Sequence, residues 1–206
     1  MVQKADTVTK KPGRRPSFDH DAVVTAAAYA FWAKGFAATT LSDLEEATGV
    51  DRSTLYNSFD GKRGIYRAAT AAYVAIAEED LFDPLLAGVE GIEDIVEFLD
   101  RLDNNLGNEG NPRGCLIVND ISSASDCEAR TRYLEILEGG FQVALERASS
   151  SGEIDSETVS RRTQFLTAAI LGINLAHRES TQTTSARALL NGVRTEVRSW
   201  AGDSYR

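Results

Sequence analysis

The chain has 206 residues, room for one large domain or two small ones, and 42% of them are apolar, as in a globular protein. No apolar run approaches the ~18 residues of a membrane span, and two cysteines far from Cys-x-x-Cys spacing argue against a disulfide scaffold or a structural zinc site. The net charge of −9 opposes nucleic-acid binding only in bulk: residues 1–67 hold ten Lys and Arg against eight Asp and Glu, and residues 68–206 hold twelve against twenty-three.

Residues 1–17 are polar, with Pro12, Gly13 and Pro16, and read as a flexible basic arm. Its cluster of Lys10, Lys11, Arg14 and Arg15 is either a solubilising tail or an arm that tracks phosphates or enters a minor groove. No apolar stretch of signal-peptide type follows it, so a cytoplasmic setting is expected. The first predicted helix runs from Asp19 to Lys34. Val23, Ala27 and Phe31 align on it, with Val24, Ala28 and Trp32 alongside. Trp32 reads as a core residue rather than a pocket residue. Gly35 ends the helix, and Phe36 packs under the next turn.

Thr39 to Tyr66 reads as two short helices, a tight turn between them, and the start of a third. Thr40 suits the first N-cap, with Asp43 three residues on. Leu41, Leu44 and Ala47 give one small apolar face. Gly49 can take positive φ past the helix end, and Asp51 can cap the second helix. Leu55 and Phe59 point inward, which leaves Arg52, Ser53, Thr54, Tyr56 and Asn57 largely outside. A short helix with that outer face is a poor core element. It suits insertion into a DNA major groove as the second helix of a helix-turn-helix. Its first residues, Arg52, Ser53 and Thr54, would then reach the bases, with Arg52 able to address guanine O6 and N7. Asn57 can serve bases or phosphates.

Lys62 to Phe82 is predicted as one long helix, the rigid covalent link to the acidic part, and Pro84 closes it. A shorter helix covers Ile92 to Asn105, with Ile95, Phe98, Leu99 and Leu102 inward. Leu106 to Gly114 forms turns. Cys115 to Ser125 opens on Cys-Leu-Ile-Val, a strand by propensity but a short buried helix in these all-helical surroundings. Arg130 to Ser149 is amphipathic. After a turn at Ser150 to Glu153, two long helices cover about Ser156 to His177 and Thr184 to Trp200, both with broad apolar faces.

The helix-turn-helix segment resembles the DNA-binding domain of the TetR family of transcriptional regulators. The matching residues are Phe31, Gly35-Phe36, Thr39-Thr40, Leu44, Ala47, Gly49-Val50, Leu55-Tyr56, Phe59 and Lys62, over about residues 18–69 without gaps. Gly114 to Asn119 also looks like a run at the start of a ligand-domain helix in many members. The resemblance implies an all-α fold. An N-terminal three-helix helix-turn-helix domain (18–67) precedes a C-terminal helical ligand-binding and dimerisation domain (68–206). It further implies a double-stranded operator, a homodimer through the two C-terminal helices, and a small organic effector whose binding relieves repression. Thr39, Tyr56 and Lys62 fall at the family's phosphate-contacting positions, beside the capping Thr40. Asp51 departs from the more usual Ser or Thr, and its charge lies near the phosphates.

Other classes fare poorly. His20 and His177 have no His or Cys at ligand spacing, and no nucleophile elbow, phosphate loop or dinucleotide fingerprint appears. Neither an enzyme, a metal site nor a cofactor is expected. The effector site is expected inside residues 68–206, where Tyr73, Phe98, Leu102, Ile117, Asn119, Phe141 and Phe165 offer aromatic walls and a few polar handles, or else simply fill a core. Cys115, after Arg113, either joins that wall or acts as an electrophile- or oxidant-sensing thiol with Cys127 as its resolving partner.

Overall fold

The computed structural model describes residues 18–120, 128–179 and 184–201. The basic arm of residues 1–17 and the proposed resolving Cys127 lie outside the described residues. Every described element is helical. In order they are α1 (His20–Ala38), α2 (Leu41–Thr48), α3 (Arg52–Phe59), α4 (Gly61–Asp80), α5 (Asp83–Ala87), α6 (Ile92–Gly107), α7 (Leu116–Asn119) and α8 (Glu128–Ser150). A 3-10 turn (Ser156–Thr158), α9 (Val159–Glu179) and α10 (Thr184–Trp200) complete the chain. No described helix is long and apolar enough to cross a membrane.

The helix starts follow from side chains that accept otherwise unpaired N–H groups. Asp19 accepts from Asp21 and Ala22 at α1, Thr40 and Asp43 form a reciprocal capping box at α2, and Asp51 accepts from Thr54 at α3. Two boundaries differ from expectation. Gly35 does not terminate α1 but kinks it, with φ 77 and ψ 162, and one more turn follows to Ala38. Pro84 does not merely close the long helix. It sits in the first turn of α5, where a missing N–H costs no hydrogen bond. Phe82 turns into the core at 0% exposure, so α4 stops at Asp80.

Two hydrophobic cores result. Val23, Ala27, Phe31, Leu44, Leu55, Phe59, Ile65, Tyr66 and Ala69 build the first, from α1 to the start of α4. The second gathers the end of α4 with α5 to α10, around the ring trio Phe82, Phe98 and Phe141. Ala47, expected on the apolar face of α2, is exposed, and Ile76 of α4 is 55% exposed. α4 runs through both cores. α7 also touches both: Leu116 inserts into the first, while Cys115, Ile117 and Val118 belong to the second. Near the far end of the second core, Arg147 of α8 bonds Asp94 at 2.9 Å and the carbonyls of Pro84 and Leu85, which ties α5, α6 and α8 together.

Gly64 sets how close α3 lies to α4. A Cβ there would fall within the Phe59 carbonyl, a backbone group that cannot swing aside. Gly64→Ala is expected to cost roughly 1–3 kcal/mol by overpacking. Gly139→Ala, where a methyl meets nothing within 4 Å, is expected to be neutral or to stabilise by up to ~1 kcal/mol. Urea melts of the two variants check this; equal midpoints would refute the close-packing account.

Candidate nucleic-acid interface and ligand cavity

α2 and α3 are held from beneath by Leu44 and Leu55, both at 0% exposure, and Phe59. Little of α3 is needed inside, so Arg52, Ser53, Tyr56 and Asn57 stand exposed, and Thr54 is half-buried. Tyr56 is 54% exposed. Glu45 of α2 accepts the Arg52 backbone N–H at 2.8 Å and holds its guanidinium loosely at 3.5 Å. That exposed pair positions Arg52 weakly and yields easily to a better acceptor. The capping carboxylates stay ionised. Lys34 at 2.6 Å, and then Thr40, hold Asp43 well below the usual carboxylate range, and the Thr54 N–H lowers Asp51.

Three more of the residues expected near DNA have partners within the chain. Thr39 is fully buried, and its hydroxyl donates to the Gly35 carbonyl at 2.7 Å, so it holds the kink of α1 rather than facing a phosphate. Thr40 is exposed, but its hydroxyl is engaged with Asp43 in the capping box. Lys62 is half-buried, its ammonium 4.5 Å from the centre of the Phe36 ring and 3.4 Å from the Ala37 carbonyl.

A cavity of about 290 Å³ lies where the two cores meet. α1 contributes Thr25, Ala28, Tyr29 and Trp32, α4 contributes Tyr73, Ile76 and Ala77, and α6 contributes Leu102, Asn105 and Leu106. Asn111, Gly114 and Cys115 close one side, with Tyr133, Asn174 and His177 from α8 and α9. The cavity is thus lined by α1 as well as by elements of residues 68–206. Of the eight residues proposed from sequence, Tyr73, Leu102 and Cys115 line it. Phe98 and Phe141 are at 0% exposure in the ring trio, and Ile117 is core. Asn119 turns back to donate to the Arg113 carbonyl at 2.8 Å. Phe165 is 43% exposed on the outer face of α9, against Trp200.

The cavity walls are electrically quiet. The Tyr73 hydroxyl donates to Cys115 Sγ at 3.4 Å. Burial first, and Cys115 second, pushes the Tyr73 and Tyr133 phenols well above their ordinary value, so both stay protonated. His177 Nδ1 accepts the Gly114 N–H at 3.0 Å, which fixes the tautomer with the proton on Nε2. Burial, then the charge of Arg113, lowers the His177 pKa from 6.5 and keeps the ring neutral. Cys115 is 3% exposed, a wall thiol rather than an accessible one. Among the described residues no group of three or more His, Cys, Asp or Glu could hold a metal ion.

Next to the cavity, the 111–120 segment is bonded to α1 at three points. Tyr29 donates to Asn111 at 3.3 Å, and the Trp32 indole donates to the Gly114 carbonyl at 3.2 Å. Asp120, 8% exposed, accepts the Phe36 N–H at 3.0 Å and the Tyr66 hydroxyl at 2.8 Å. The kink at Gly35 sets the Phe36 N–H outside the regular helical ladder, and Asp120 supplies its acceptor. Sequence reasoning missed Tyr29, Asn174, His177 and Asp120, and assigned Trp32 to the core. One signal was available for α9: Ile170, Ile173, Asn174 and His177 share a helical face, which marks polar groups turned inward.

A short capped helix with a polar outer face, mounted on a helical body with a cavity, defines a helix-turn-helix regulator. Residues 23–69 match the family described as bacterial regulatory proteins, tetR family. The chain is 28% identical to the HTH-type transcriptional repressor ComR of Escherichia coli (strain K12) over 201 residues, 94% of each chain. It is 30% identical to the HTH-type transcriptional repressor BdcR of the same strain over 127 residues, 60% of this chain and 64% of that one. Its fold is similar to a cysteine mutant of the TetR family regulator CifR complexed with 26-base-pair operator DNA, with TM-score 0.77, 22% identity, and 91% and 100% of the two chains covered. It is also similar to a TetR regulator from Chloroflexus aurantiacus, with TM-score 0.74, 22% identity, and 86% and 93% covered. Residues 23–69 thus carry the DNA-binding region of the TetR family of transcriptional regulators, and the chain has the fold of its solved members.

Two consequences can be measured. Asp120→Ala removes the acceptor of the part-buried Phe36 N–H and of the buried Tyr66 hydroxyl, and is expected to cost roughly 1–3 kcal/mol in a urea melt. An unchanged midpoint would show the tie to be idle. His177 has a folded pKa below its unfolded value, so its contribution is full above the unfolded pKa and is lost as pH falls from there through the folded pKa. The melt midpoint should therefore drop as pH falls below about 6.5, and drop less in His177→Gln. An equal drop in both proteins would place the sensitive group elsewhere.

Proposed function

We propose that this chain is a DNA-binding repressor that grips a two-fold symmetric operator as a homodimer and is released by a small organic effector. The observation that carries the reading is the exposed outer face of α3, formed by Arg52, Ser53, Tyr56 and Asn57 on a helix anchored only by Leu55 and Phe59. Two relatives named as repressors and a similar fold described with operator DNA support it.

Arg52 reads base edges, with Ser53 and the half-buried Thr54 at shorter range. Tyr56 and Lys62 contact phosphates, and Asn57 serves either. Thr39 is assigned to the support of α1 and Thr40 to the cap of α2. The homodimer is assigned to α9 and α10. Their outer stripes, Phe165, Ala168, Gly172 and Leu175 on one and Leu189 and Gly192 on the other, are exposed and mostly apolar or small. Phe165 is 43%, Leu175 53% and Leu189 52% exposed. A Cβ at Gly172 or Gly192 meets nothing within 4 Å, so a partner helix can approach closely there.

The effector acts by binding one arrangement of the two α3 helices better than the other, since a ligand shifts an equilibrium only by its differential affinity. The test is site selection with the full chain on random duplexes, followed by salt series on operator and scrambled DNA. A palindrome should be enriched. Arg52→Ala should lose roughly 1–3 kcal/mol on the operator and relax one base position. Lys62→Ala should weaken both duplexes alike and lower the salt slope by about one ion. Recovery of no enriched palindrome would sink the operator reading, and equal weakening of both duplexes by Arg52→Ala would reassign Arg52 to a phosphate.

A further inference from the structure

The cavity at the junction of the two cores has a definite chemical character. Trp32, Tyr29, Tyr73 and Tyr133 give it aromatic walls, and Trp32 and Tyr73 meet edge to face at 5.3 Å. Leu81, Leu102 and Leu106 complete an apolar lining. Among the described residues no Lys or Arg lines it, so an anion entering would meet no cationic side chain there. The one lining carboxylate among the described residues, Asp80, is exposed at the end of α4 and cannot pair with a cation held deep inside. A buried charge without a partner is strongly disfavoured. Two polar lining residues are buried: Asn174, 3% exposed, whose amide donates to the Ile170 carbonyl, and His177, 5% exposed, with Nδ1 committed to Gly114. His177 is the ring donor of the two. Its remaining polar atom is a donor, Nε2–H. At about 290 Å³ the space sits at the low end of small-molecule pockets.

We propose that this cavity takes a neutral, flat aromatic molecule of one or two rings bearing a carbonyl-type acceptor. The rings lie against Trp32 and Tyr73, the acceptor meets His177 Nε2–H, and the molecule rests directly on α1 of the DNA-binding unit. The proposal rests on reading the cavity as the effector site, and it adds the ligand class and the seat. Contact with Trp32 matters most. Trp32 lies three residues before the Gly35 kink, and its indole holds the Gly114 carbonyl. A ring placed there touches both ends of the link between cavity and helix-turn-helix with no relay through the rest of the second core.

The test uses the full chain and three probes of one shape: 2-naphthamide, 2-naphthoate and 2-naphthylmethylammonium. Calorimetry at pH 7.5 gives the affinities, and operator binding is followed in parallel. The neutral amide is expected to bind at least tenfold more tightly than either ion. Ala28→Leu fills the cavity from the α1 side and should weaken the amide at least tenfold. His177→Phe removes the donor and should bring the amide down to parity with plain naphthalene. Circular dichroism confirms that each variant is folded, and Ala28→Leu carries the test if His177→Phe is not. Tighter binding of either ion overturns the ligand class. Undiminished amide binding by Ala28→Leu overturns the seat on α1. Binding of no probe by a protein that still holds its operator overturns this proposal and leaves the repressor reading standing. Amide binding with no operator binding does the reverse.

Discussion

The buried carboxylate of Asp120 is the constraint on which the relation between the two halves depends. A carboxylate at 8% exposure needs donors, and it finds them in the Phe36 N–H and the Tyr66 hydroxyl. Phe36 follows the Gly35 kink, and Tyr66 lies early in α4. One side chain from the second half thus bonds both helices that frame α2 and α3. Leu116, four residues earlier, adds an apolar anchor in the first core. α7 has only four residues and would be unstable alone. Its place is fixed by what it bonds and buries at either end.

From that tie the rest can be followed outward. Phe36 leads to Thr39, whose hydroxyl and N–H both bond the Gly35 carbonyl. Thr40 then caps α2, and α2 carries Glu45, which accepts the N–H of Arg52 at the start of α3. Each step is a short, directional bond, so the pose of α3 is set by the position of the α1 kink. In the other direction Gly114 and Cys115 join α7 to the cavity wall. The cavity and the outer face of α3 are therefore separated by few covalent and hydrogen-bonded steps. The proposed gating needs a connection between the two sites, and this bonded route runs from the cavity wall to α3 by way of Asp120 and the α1 kink.

Much of this was legible in the sequence because it is local. Caps, turns and helical periodicity act within three or four residues, so Thr40, Asp51, Gly49 and the apolar pair Leu55 and Phe59 announced α2 and α3. The last helix was expected from Thr184 to Trp200 and has those bounds. The cavity was not legible, because an inward-facing aromatic looks the same whether it fills a core or lines a void. Phe98 and Phe141 fill a core, Tyr73 and Trp32 line a void, and only the tertiary packing separates them. Phe165 shows a second ambiguity. An apolar stripe turned to solvent and one turned to the core share one period, and a partner surface has the composition of an interior. Thr39 shows a third: a residue type suited to a phosphate is equally suited to a kinked helix with a free carbonyl. Asp120 lies in a polar stretch with no periodic signal, and its partners are 54 and 84 residues away.

The charge distribution fits this division of labour. The acidic excess lies in the part that carries the cavity and the exposed stripes of α9 and α10. Residues 18–67 hold five Lys and Arg against seven Asp and Glu, so the basic surplus of the first part comes from residues 1–17, and three of those seven carboxylates serve as caps. Asp19, Asp43 and Asp51 each accept backbone N–H groups at helix starts. A capping carboxylate is partly neutralised by those N–H dipoles and repels phosphate less than a free one would. Asp51, which stands closest to the proposed groove contacts, is the clearest case, since the Thr54 N–H at 2.7 Å draws its charge toward the helix end. An acidic cap can thus sit beside DNA, and the weak hold of Glu45 on Arg52 leaves the guanidinium available to a base edge.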